Sequence, residues 1–166
     1  MLNKKITAWD PGIPVIDVET GEVKVSGAVG ILCARALGSC VAVMAHDPVK
    51  KAGGMAHIML PGRAGDATAE EKNRYAEDAI DDLLEMLAVL GAKNSGLKVG
   101  LVGGADLVGD GNIHVLVRES VLSRLQALEI KPVALCLGGK RARSAWLDIA
   151  SGKMYLKEEN DAVSKL

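Results

Sequence analysis

Two short apolar runs with a turn between them constrain this chain most. The first is Ala36-Leu37-Gly38-Ser39-Cys40-Val41-Ala42-Val43, and the second is Gly53-Gly54-Met55-Ala56-His57-Ile58-Met59-Leu60-Pro61. Between them lies Asp47-Pro48-Val49-Lys50-Lys51, which carries turn chemistry. Runs of strand length flanking a turn fold back as a hairpin. The hairpin spans about 40–46 and 53–60. Pairing Cys40 with His57 places Met44 opposite Gly53, with Pro48 and Lys50-Lys51 in the loop. Directly opposed residues have Cβ atoms roughly 4.5–5.5 Å apart, so thiol and imidazole meet in that register. A slip of one residue separates them onto opposite faces.

The rest of the chain alternates strand and helix signals. Val15 to Val18, Glu22 to Ser26 and Val29 to Ala34 read as short strands, with a turn at Thr20-Gly21. A Gly-rich loop at 61–68 leads into a helix over about 69–91, where Ile80, Leu83, Leu84 and Leu87 recur at helical spacing and Gly91 supplies a stop. Leu97 to Val102 is a strand. Gly109-Asp110-Gly111-Asn112 is a turn and N-cap for a helix over about 113–128, with Val117, Val121, Leu125 and Leu128 on one face. Pro132 to Leu137 is a strand, and Ser144 to Ile149 with Lys153 to Lys157 form a final hairpin. A frayed polar tail follows Glu158. This order predicts an α/β (α+β) layered fold, with two to three helices against mainly antiparallel sheets. At 166 residues, without linkers, repeats or low-complexity segments, residues 1–166 are expected to form one domain.

Composition narrows the function classes. The formal charge is -1 and aromatics are 2%, so neither phosphate attraction nor base stacking has much to work with, and nucleic acid is not an expected partner. With no Phe, the core must be aliphatic. No apolar run reaches bilayer length and no signal-peptide apolar region follows Met1-Leu2-Asn3-Lys4-Lys5-Ile6, so membrane insertion is not expected. Cys33, Cys40 and Cys136 do not form a disulfide framework, which points to a reducing cytoplasm.

Each reactive residue has two readings. Cys40 is either a small buried hydrophobe or a thiol at the mouth of a strand, set there by a tight Gly38-Ser39 turn whose backbone N–H groups could stabilise an oxyanion. His57 is either a satisfied core histidine or the base that takes the Cys40 proton. His46 reads as a solvated loop residue and His114 as surface. The glycine pairs at 53–54, 103–104 and 138–139 read as strand-end turns, since none belongs to a nucleotide-binding motif. Lys140-Arg141-Ala142-Arg143 is a solvated loop or a contact for an acidic surface. No metal-ligand spacing occurs, so no metal is expected.

Taken together, the motifs resemble the chemoreceptor glutamine deamidase (CheD) family. The likeness runs through Leu37-Gly38-Ser39-Cys40-Val41-Ala42-Val43, Asp47-Pro48 and Gly54-Met55-Ala56-His57-Ile58-Met59-Leu60-Pro61. It continues through Arg74-Tyr75-Ala76-Glu77-Asp78-Ala79-Ile80, Gly103-Gly104-Ala105, Val108-Gly109 with Asn112, and Gly138-Gly139 with Arg143, covering about 22–157. The resemblance implies hydrolysis of glutamine side chains on the cytoplasmic domains of methyl-accepting chemotaxis receptors, giving glutamate and ammonia without a cofactor. It assigns Cys40 as nucleophile and His57 as base, and marks Asn112 and Arg143 as substrate-contacting or structural. It also implies a possible CheC-type phosphatase partner. The family places a Thr six residues before the Cys to orient the histidine, and this chain has Ala34 there. The alternative is therefore a weakened, deamidase-like module that docks receptors or the phosphatase. A lowered Cys40 pKa would favour the enzyme, and an ordinary one the module. A generic cysteine hydrolase or transglutaminase-like enzyme acting on other substrates is a further, less favoured class.

Overall fold

The computed structural model describes residues 10–109 and 111–166. The expectations for residues 1–9 and for Asp110 lie outside the described residues. Among the described residues, ten strands and three α-helices follow in chain order. They are β1 (Val15–Asp17), β2 (Val23–Ser26), β3 (Ile31–Leu37), β4 (Val41–Asp47), β5 (Ala52–Ile58), α1 (Ala69–Lys72), α2 (Ala76–Val89), β6 (Lys98–Gly103), α3 (Ile113–Ala127), β7 (Ala134–Leu137), β8 (Arg143–Asp148), β9 (Met154–Glu158) and β10 (Ser164–Lys165). The expected α/β layered architecture is what the chain forms.

The strands make two five-stranded sheets, ordered β1-β3-β8-β9-β10 and β2-β5-β4-β6-β7. Pairing is antiparallel except at β1–β3 and β6–β7. In the second sheet, alternate residues serve two cores, as the period of a strand requires. Val41, Val43 and Ala45 of β4 face α2 and α3, together with Leu83, Leu87, Val117, Val121 and Leu125. Ala42 and Met44 face the other way and meet Leu32, Ala34, Leu37, Ala145 and Leu147 of the first sheet. The layers are therefore sheet, sheet, helices. Because β4 and β5 are covered on both faces, every residue in them is buried. This explains why both runs read as continuously apolar.

The helical stretch predicted over 69–91 is two helices. The chain leaves helical geometry at Tyr75, whose φ is -94° and ψ 138°. There the Ala76 N–H donates to the Leu60 carbonyl at 2.9 Å and the Glu77 N–H to the Gly62 carbonyl at 3.0 Å. Asp78, buried in the first turn, accepts from the Ala64 N–H at 2.8 Å and from Arg63 at 3.0 Å. The segment after β5 is thus clipped to the start of α2. The tail predicted to fray instead adds β10 beside β9, with Ser164 opposite Leu156.

Candidate functional site

The hairpin forms, with a different register. His57 lies opposite Ala42, and the closing pair is Asp47 with Ala52 around a loop at 48–51. Relative to the expected pairing of Cys40 with His57, the strands are offset by two residues, which also moves Gly53 opposite His46 rather than Met44. An even offset keeps both side chains on one face. Cys40 becomes the diagonal neighbour of His57, at roughly 7–8 Å by backbone spacing, a distance aromatic side chains can bridge.

Cys40 immediately precedes β4. The turn before it is prepared by a bulge in β3, where the pairing with β8 shifts between Ala34 and Leu37 and Ala36 adopts φ 52°. Bulges re-aim the chain at sites of this kind. The Cys40 carbonyl accepts from the Gly104 N–H at 2.8 Å, and the Gly38 carbonyl from the Ala105 N–H at 2.8 Å. The N–H groups of Ser39 and Cys40 have no acceptor among the described residues. Gly103 is required beside them: its φ is 121°, and a Cβ there would collide with the Cys40 carbonyl.

His57 is 4% exposed, on the face turned to the first sheet. Its Nδ1 lies 2.9 Å from the Val18 carbonyl oxygen, and its Nε2 lies 3.4 Å from Thr20 Oγ1. A carbonyl only accepts, so Nδ1 carries the proton and Nε2 holds the lone pair. The Val18 carbonyl and the Thr20 hydroxyl hold the ring where Ala34, buried in the inter-sheet core, offers no hydroxyl. Neither residue was singled out from the sequence. A backbone acceptor leaves no signature, and Thr20 carried only a turn signal.

Burial sets both protonation states at rest. It pushes the Cys40 thiol above its ordinary value of 9.0. It also holds the His57 imidazole below 6.5, against opposing pulls from the Val18 carbonyl, Glu19 and Glu22. The resting pair is thus a neutral thiol and a neutral imidazole.

Arg143 is 7% exposed and structural in its contacts. It donates to the Gly138 carbonyl at 2.6 Å and to Glu158 at 2.7 Å. The Gly138 N–H donates to the Gly103 carbonyl at 2.9 Å, and the Asp106 N–H to the Gly139 carbonyl at 2.8 Å. Arg143 therefore anchors the glycine loops that hold 103–106 against Cys40. Asn112 is exposed at the N-terminus of α3. Its carbonyl accepts from the Val115 and Leu116 N–H groups at 3.0 Å each, and its side chain makes no cap.

Three readings change. His46 is no solvated loop residue: at 2% exposure its Nε2 meets the Ile149 carbonyl at 2.9 Å, because β4 extends to Asp47. Gly53-Gly54 is no strand-end turn but lies inside β5, where a Cβ would strike Ile149 or Leu83. His114 is half-buried and, with Cys40, lines a cavity of about 260 Å³. The pairs at 103–104 and 138–139 do sit at strand ends, all with positive φ. Among the described residues no three His, Cys, Asp or Glu side chains converge as a metal site would.

The fold and the site define a layered α/β protein with a thiol at a strand mouth and, on the same face, an imidazole whose tautomer is fixed. The family follows from comparison. The sequence profile of the family described as CheD chemotactic sensory transduction matches residues 59–158. The chemoreceptor glutamine deamidase CheD of Thermotoga maritima is 37% identical over 140 residues, covering 83% of this chain and 88% of the relative. A probable chemoreceptor glutamine deamidase CheD of Desulfitobacterium hafniense is 34% identical over 157 residues, 88% and 94% of the two chains. One from Vibrio vulnificus is 35% identical over 158 residues, 88% and 72%. The chain belongs to the CheD family. No helix among the described residues is long and apolar enough to cross a membrane.

Proposed function

We propose that this chain, acting as one unit in the cytoplasm, converts specific receptor glutamines to glutamate and ammonia, with Cys40 as nucleophile and His57 as base. The observation that supports this reading best is the His57 ring itself. With its Nδ1–H committed to the Val18 carbonyl, the ring carries its lone pair at Nε2, on the face it shares with Cys40, and only the Thr20 hydroxyl, at 3.4 Å, must give way for that lone pair to take the thiol proton.

His57 Nε2 takes the thiol proton as sulfur attacks the carboxamide carbon, and the C=O π pair moves to oxygen. The Ser39 and Cys40 N–H groups stabilise that oxyanion. Collapse breaks the C–N bond, and the imidazolium proton leaves with ammonia. Water then attacks the thioester, gives its proton to His57, and releases glutamate. The sulfur recovers that proton as the thiol. Because both partners rest neutral, the proton moves during attack and not before it.

A second reading is favoured by one observation: burial raises the Cys40 pKa, where a preformed thiolate would need it lowered. Under that reading the chain is a weakened, deamidase-like module that docks receptors or a CheC-type phosphatase. Ammonia release from a receptor cytoplasmic fragment separates the two. The enzyme reading expects release from the wild type and none from Cys40→Ala, whereas the module reading expects none from either.

A further inference from the structure

Cys40 opens into a cavity that His57 does not line. Its lining also includes Gly38, Ser39, Asp106, Ile113 and His114. At about 260 Å³ it is smaller than the roughly 300–1,000 Å³ of sites for drug-sized ligands, and suits a single inserted side chain. We propose that Asp106 and His114 form a selectivity wall over Cys40 that admits a carboxamide and turns away a carboxylate. The proposal rests on Cys40 being the residue that meets substrate.

Asp106 is held rigidly. Its N–H is tied to the Gly139 carbonyl at 2.8 Å, and its Oδ1 accepts from the Gly109 N–H at 2.7 Å. Oδ2 accepts no hydrogen bond among the described residues, so Asp106 keeps acceptor capacity for a substrate N–H. Asp106 is also the one carboxylate, and His114 the one imidazole, among the described residues lining the cavity, and no Lys or Arg lines it. A carboxamide brings two N–H donors and a carbonyl acceptor. Its N–H can donate to Asp106 and its oxygen can accept from a ring N–H of His114. A glutamate in the same place brings only acceptors and a second negative charge beside Asp106, an arrangement that like-charge repulsion disfavours. The wall would therefore orient the substrate amide and help to expel the product. His57 works from the core side of the sulfur and His114 from the open side.

Cys40 can be probed without any receptor. Iodoacetamide carries a carboxamide and iodoacetate a carboxylate, and both alkylate thiols. Their relative rates at Cys40, followed by peptide mass at about pH 9, read the wall directly, with free glutathione as reference. Wild type is expected to favour iodoacetamide about tenfold more than glutathione does, a factor within what one charge at a few ångströms supplies. Asp106→Asn, which can still accept from Gly109, should lower that ratio to the glutathione value with unchanged melting. His114→Leu should slow iodoacetamide alone, and His114→Gln should restore it. A wild-type ratio equal to that of glutathione, or a ratio untouched by Asp106→Asn, overturns the proposal. Intact selectivity with no ammonia from a receptor fragment would overturn the deamidase reading and leave this one standing.

Discussion

At the scale of single residues, His57 governs the acid behaviour of the site. The unfolded chain binds the imidazole proton near its ordinary value of 6.5, and the native chain only at lower pH because the ring is buried. Protonation therefore favours the unfolded state, so the His57 contribution to stability is whole above pH 6.5 and is lost as pH falls below it. Melting temperatures recorded between about pH 8 and 5 should fall less for His57→Gln than for wild type. Equal slopes would mean the ring titrates as if exposed. Arg143 is predicted to matter through the loops it holds. Arg143→Ala leaves the buried Gly138 carbonyl without this donor and leaves Glu158 with Arg141 alone, and should cost about 2–3 kcal/mol in urea unfolding with an unchanged m value. The candidate pair, Cys40 and His57, stood out in the sequence because a thiol after Gly-Ser and a histidine in a strand carry local signals. What holds the histidine was not, because the Val18 carbonyl and Thr20 reach His57 only through tertiary packing.

At the scale of elements, the β4–β5 hairpin could be foreseen but its register could not. The sequence offers apolar residues on both faces of both strands, so alternation gives no preference between offsets. The four-residue loop at 48–51, with Lys51 at φ 51°, selects the observed one. The same two-sided burial hid His46 inside β4, whereas the single-sided helix α2 was plain from the spacing of its leucines. Packing of α2 on the second sheet is tested by Leu83→Ala. That change removes a fully buried side chain lying against Gly54 and should cost about 2–5 kcal/mol. Gly103→Ala, at the end of β6, combines an unfavourable φ with a collision at the Cys40 carbonyl. It should lose on the order of 3 kcal/mol. It should also depress Cys40 reactivity more than Leu83→Ala does, since only Gly103 touches the site.

At the scale of the whole molecule, two sheets and a helical layer bring the ends of β3, β4, β6, β7 and β8 to one edge. The bulge in β3, the Gly38-Ser39 turn, the glycine loops at 103–104 and 138–139 and Arg143 all converge there on Cys40. The layered class was readable from element order and aliphatic composition. The sheet assignments were not, because β1 skips β2 to pair with β3, and β3–β8 joins segments far apart in sequence. The most direct test is ammonia release, with mass mapping of amide-to-acid conversion, on a receptor cytoplasmic fragment. Wild-type protein is expected to convert particular glutamines and release equivalent ammonia, while Cys40→Ala and His57→Gln do neither. Conversion that persists in Cys40→Ala, or its absence in folded wild type, would contradict the account.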